Sequence, residues 1–138
     1  MHVVRVPDRI LVVHRDPAFR QDIETHLTHR GYEVLTATNG EEALGSLVRQ
    51  KVACMITDGS PSGTPDGELL SQALTRDPTL AILVCSATAI IEDAVHYLQY
   101  GALDYLLKPV DPARLEASLE RALRRRVELI RQRDMTRL

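Results

Sequence analysis

The sequence predicts an α/β fold of the flavodoxin-like class: a doubly wound (βα)5 chain with a five-stranded parallel sheet ordered 2-1-3-4-5. Three observations carry this. Short apolar runs rich in β-branched residues alternate with longer amphipathic segments. The runs are apolar at consecutive positions, as strands buried on both faces of a parallel sheet require. The chain has 138 residues, enough for one compact domain with a real core. Such alternation implies right-handed crossovers, with helices on both faces of the sheet.

Arg9 to Val13 is the first strand. Phe19, Ile23 and Leu27 then recur at helical spacing, and Gly31 closes that helix. Glu33 to Ala37 is the second strand. Asn39-Gly40 is a turn or cap before a helix carrying Ala43, Leu44, Leu47 and Val48. Val52 to Thr57 is the third strand, and Asp58 opens a loop rich in Gly, Ser and Pro that runs to Gly67. Leu69, Leu70, Ala73 and Leu74 form the next helical stripe, followed by a strand from Leu80 to Cys85. Ile90 to Tyr100 is a helix ending before Gly101, and Leu103 to Leu107 is the fifth strand. Asp111-Pro112 caps a long last helix, with Leu115, Leu119, Leu123 and Val127 turned inward.

Net charge is −2, so no global field favours DNA or an anionic membrane, and no direct nucleic-acid contact is expected. From Arg114 to Leu138, eight Arg stand against three Glu and one Asp, a local charge of +4 on an otherwise acidic chain. Cys54 and Cys85 lie inside apolar runs and read as buried hydrophobes of a reducing compartment. No apolar run approaches the ~18 residues of a membrane span. Met1 to Arg9 lacks a signal-peptide core, so a cytoplasmic protein is expected.

In a doubly wound sheet the site lies at the carboxyl ends of the strands. That rule selects His14, Arg15 and Asp16 after the first strand, Asp58 after the third, Ser86 after the fourth and Lys108 after the fifth. A carboxylate, a hydroxyl and an ammonium would meet there. The carboxylate can attack a phosphoryl donor, and the other two can bind the phosphate oxygens. A divalent cation normally neutralises such a site.

These motifs resemble the response regulator receiver domain of two-component signalling over nearly the whole chain. Ile10–Val13 resembles the family's first strand, and Ile56-Thr57-Asp58 resembles the strand that delivers the phosphoacceptor. Val84-Cys85-Ser86-Ala87 resembles the Ser/Thr-Ala step. The segment from Gly101 to Pro109 resembles the fifth-strand motif and is the most specific. The resemblance implies that Asp58 is the phosphoacceptor, that Ser86 and Lys108 bind the phosphate, and that Ser86 and Tyr105 act as switch residues. It also implies a cis bond between Lys108 and Pro109. The implied partners are a histidine kinase and an output domain. A homodimer through the fourth and fifth helices, near Tyr97, Tyr100 and Tyr105, is implied as well. The resemblance further implies a signalling module and not an enzyme. Residues 1–123 would form the receiver; residues 124–138 would extend the last helix or link to an output domain.

Two departures set this chain apart. The family's acidic metal-binding pair is replaced by His14 and Arg15, leaving Asp16 and Asp58 as the only carboxylates for Mg²⁺. The loop from Asp58 to Asp66-Gly67 is one residue longer than the usual interval, with Pro61 early. The leading expectation is an atypical receiver with impaired Mg²⁺-dependent phosphorylation, in which Arg15, with Lys108, pairs with Asp58. One alternative is a receiver still phosphorylated on Asp58. Another is a small-molecule or transition-metal site built on His14, Asp16 and Asp58. Phosphatase, flavin and zinc readings fail: Ser60 stands where an aspartyl phosphatase keeps its second Asp, the turn after the first strand is no phosphate loop, and there is no Cys/His cluster.

Overall fold

Each apolar run forms a strand because its consecutive apolar side chains can be buried only between two helical layers. The computed structural model describes residues 7–59, 67–87 and 89–136. Five strands, β1 (Arg9–Val13), β2 (Glu33–Ala37), β3 (Cys54–Asp58), β4 (Ala81–Ser86) and β5 (Asp104–Leu107), pair in parallel in the order β2-β1-β3-β4-β5. The helices are α1 (Pro17–His29), α2 (Gly40–Arg49), α3 (Gly67–Arg76), α4 (Ile91–Gln99) and α5 (Pro112–Thr136). The expected flavodoxin-like fold and strand order are therefore observed.

Alternate residues along the strands enter two separate cores. Leu11, Val13, Met55, Ile82 and Val84 pack with Leu69, Leu70, Ala73 and Tyr97 on one face. Ile10, Val12, Ile56, Leu83, Cys85 and Leu106 pack with Ile23, Leu27, Leu115 and Leu119 on the other. Both cysteines are buried and unpaired, and burial pushes the Cys85 thiol up to about 12. They act as small core hydrophobes.

The caps explain where the helices begin and end. Asp16 caps α1 by accepting the Ala18 amide at 3.0 Å, and Asn39 caps α2 by accepting the Glu42 amide at 2.9 Å. Asp111 accepts the Ala113 amide at 3.2 Å at the start of α5. Gly31 follows α1 at φ +93°, and Gly101 follows α4 at φ +111°.

Three expectations change. β3 begins at Cys54 and includes Asp58, so that carboxylate is carried by the ladder itself. Val127 is 64% exposed and not inward, because the sheet ends before that turn of α5. Tyr97 is buried against Tyr105, with ring centroids 6.0 Å apart, so it belongs to the core and not to a partner surface. The lengthened loop with Pro61 lies outside the described residues. No helix among the described residues is long and apolar enough to cross a membrane.

Gly101→Ala should destabilise the fold by about 1–2 kcal/mol, because an L-residue is strained at this positive φ. Urea denaturation measures it; an unchanged midpoint would contradict the role assigned to this turn.

Candidate functional site

Register places the site. Val13 pairs with Thr57, so the next residues, His14 and Asp58, leave neighbouring strands side by side. Asp58 pairs with Cys85 and Ser86 with Leu107, so Ser86 and Lys108 reach the same edge. The Lys108 amide donates to the Ser86 carbonyl at 2.8 Å, and the Lys108–Pro109 peptide bond is cis, as expected.

Lys108 Nζ lies 2.8 Å from Asp58 Oδ1, and His14 Nε2 lies 3.4 Å from the same oxygen. Nζ is also 2.5 Å from His14 Nε2 and 4.8 Å from the centroid of the Phe19 ring. Phe19 stacks on His14 with centroids 4.1 Å apart, an aromatic wall that pins the imidazole beside the ammonium. Phe19 was legible only as one position of a helical stripe; that it would cover the site was not.

His14 is buried. Its Nδ1 accepts the Asp16 amide at 2.9 Å. A backbone amide can only donate, as can the ammonium facing Nε2, so these two contacts ask for opposite tautomers of the neutral ring. The ammonium donates to Asp58 Oδ1, and His14 Nε2 stands beside the same oxygen. Burial holds the His14 pKa below its ordinary 6.5; the Asp58 charge opposes that shift and Lys108 reinforces it. The ring is neutral at neutral pH. Arg20 braces the turn, donating to the carbonyls of His14 at 2.6 Å and Arg15 at 3.1 Å.

The expected pairing of Arg15 with Asp58 is not found. Arg15 is exposed, and among the described residues its side chain makes no ion pair with Asp58. At the end of β1, successive side chains point to opposite sides, so His14 turns in and Arg15 turns out.

Ser86 is buried at the edge beside Gly59. A Cβ on Gly59 would fall 2.8 Å from the Ser86 side chain, while the Gly59 amide donates to the Cys85 carbonyl at 2.9 Å. Only glycine fits that approach, a requirement invisible until β3 and β4 are paired. Tyr105 is half-buried behind this edge.

The donor set does not fit Mg²⁺, a hard cation that wants several carboxylate or water oxygens. Asp58 Oδ1 already receives Lys108, Asp16 Oδ1 caps α1, and His14 brings a ring nitrogen where a hard cation prefers oxygen. Nor do His14, Asp16 and Asp58 assemble a transition-metal site. Among the described residues, no group of three or more His, Cys, Asp or Glu is placed to hold a metal.

With this geometry established, the comparisons define the class. The response regulator receiver domain family matches residues 10–120, and the chain belongs to it. It is a receiver module of two-component response regulators. The chain is 36% identical over 118 residues to the probable transcriptional regulator ycf27 of Porphyra purpurea, covering 86% of this chain and 48% of that protein. It is 32% identical over 137 residues to the transcriptional activator protein PfeR of Pseudomonas aeruginosa, covering 96% and 45%. A CheY-like receiver domain protein from Methanospirillum hungatei JF-1 superposes with a TM-score of 0.81 at 27% identity, covering 89% of this chain and 98% of that one. The chain spans about half the length of the curated relatives it matches.

The depressed His14 pKa has a signed consequence. Between that lowered value and 6.5, the unfolded chain binds more protons than the folded one. The stability this gives is present above 6.5 and lost as pH falls through the lowered folded value. Urea denaturation at about pH 7.5 and about pH 5.5 should show a loss on acidification that His14→Asn reduces. An equal loss in the variant would place the titration elsewhere.

Proposed function

We propose that this chain is an atypical receiver, whose Mg²⁺-dependent aspartyl phosphorylation is impaired and which signals through protein–protein contact. The observation that carries this reading is the sharing of Asp58 Oδ1 by Lys108 and the buried, neutral His14. One of the two Asp58 carboxylate oxygens is thus paired with a resident cation. Charge supports the same reading. Phosphorylation would place about −1.5 to −2 charges on the modified group. The described cation facing Asp58 is Lys108 alone, since Arg15 points away. An acyl phosphate would form there without the neutralisation that a divalent cation, held by an acidic pair, would provide.

In this reading, the Lys108–Asp58 contact holds one signalling conformation without phosphate. The apolar surface of α4 and β5 supports a partner face. Ile91 is 76% exposed, and Leu98 and Leu107 are each 48% exposed. An output region, a histidine kinase or a second copy of the chain is the partner class. The relatives of about twice this length are named as transcriptional regulators, which favours an output region following α5.

Acetyl phosphate with Mg²⁺, followed by intact-mass measurement, tests the reading. The expected spectrum is unmodified protein. Stoichiometric addition of one phosphoryl group, absent in Asp58→Asn, would overturn it. A second variant carries the converse expectation: His14→Asp together with Arg15→Asp should restore an oxygen-rich pair beside Asp58, and Mg²⁺-dependent modification with it. Failure of the double variant to gain Mg²⁺-dependent modification, despite a native fold, would count against His14 and Arg15 as the cause.

A further inference from the structure

At the opposite end of the sheet from Asp58 lies a cavity of about 390 Å³. Four cations from three parts of the chain line it: Arg49 at the end of α2, Lys51 just after it, Arg76 at the end of α3 and Arg133 from the last turns of α5. Among the described residues, Arg49, Lys51 and Arg76 pair with no carboxylate, and Arg133 approaches Asp134 only at 3.9 Å. Asp77, the acidic residue of the lining, is committed to its own turn, where Oδ1 accepts the Thr79 amide at 2.9 Å and the Thr79 hydroxyl at 2.6 Å.

Arg49 and Arg76 individually suit helix C-termini, where the dipole favours a positive charge. That does not account for Lys51, nor for Arg133, which arrives from a different element. Four cations gathered around a concavity repel one another; the single charge of Asp77 offsets part of that repulsion, and a bound anion would offset the rest. The floor is apolar and buried: Val52, Ala73 and Leu80. Cations at the rim over an apolar floor, at this volume, fit a small molecule with an anionic head and an apolar body better than they fit a polymer lying on a surface. The same helix places Arg126 in an adjoining depression with Arg9 and Lys51, two turns before Arg133. The exposed continuation of α5 beyond the sheet therefore completes this end of the domain.

We propose that this basal cavity is a second binding site, for a small organic phosphate of the nucleotide class, closed on one side by Arg133 of the α5 extension. Binding would couple to the position of that extension, because Arg133 meets the ligand only while α5 lies across the base. The site shares no residue with the Asp58 edge, so it stands or falls separately from the proposed function.

Isothermal titration of the full chain with ATP, pyrophosphate and adenosine, each without Mg²⁺, tests it. ATP should bind saturably, pyrophosphate more weakly and adenosine not at all. Arg76→Gln and Arg133→Gln should each weaken ATP binding about tenfold, the scale of a lost charge-assisted hydrogen bond. Arg114→Gln, at the other end of α5, should leave it unchanged. Absence of saturable binding by ATP, or ATP binding indifferent to Arg133→Gln in a folded variant, would overturn the assignment. Equal affinity for ATP and pyrophosphate would overturn its organic part.

Discussion

Lys108 and His14 meet on a single oxygen of Asp58, and the chemistry open to this domain follows from that contact. The parallel ladder delivers Asp58 on β3 and His14 at the end of β1 in adjacent registers, while β5 brings Lys108 in from the far side of β4. Phe19 closes over both nitrogen-bearing groups. A carboxylate in these surroundings is already charge-compensated. Among the described residues, the two positions after β1 are an imidazole turned inward and a guanidinium turned outward, and neither supplies a carboxylate oxygen.

Much of this was legible in the sequence, for identifiable reasons. Continuous apolar runs admit few structures besides buried parallel strands, so the fold and the strand-end residues Asp58, Ser86 and Lys108 could be placed from the pattern alone. Gly31, Asn39 and Asp111 could be read as helix boundaries because each carries a local mechanism. The partner of Asp58 was not legible. His14 and Arg15 are adjacent, and which one turns inward depends on how β1 ends. The His14 ring is held by a turn hydrogen bond from Asp16, and the contact with Lys108 spans 94 positions. The stripe through Val127 misled because helical periodicity marks an apolar face without saying whether anything covers it.

The two ends of the sheet then divide the work. The carboxyl edge holds the Asp58–Lys108–His14 cluster, with Ser86 and Tyr105 nearby and the apolar surface of α4 and β5 to one side. The amino edge holds a cationic depression that α5 completes after running past the sheet. A single helix passes from one end to the other. Asp104, the first residue of β5, anchors it partway along, accepting from Ser118 Oγ at 2.7 Å and from Arg121 at 2.9 Å.

The central claim is that Lys108 and His14 stand where a hydrated divalent cation would otherwise bind. A Mg²⁺ titration followed through the backbone amide resonances of Asp58 and Gly59 addresses it most directly. The account predicts no saturable shift into the millimolar range. A saturable response at those two amides, lost in Asp58→Asn, would mean that the cation displaces the ammonium, and the compensated-site account would fail.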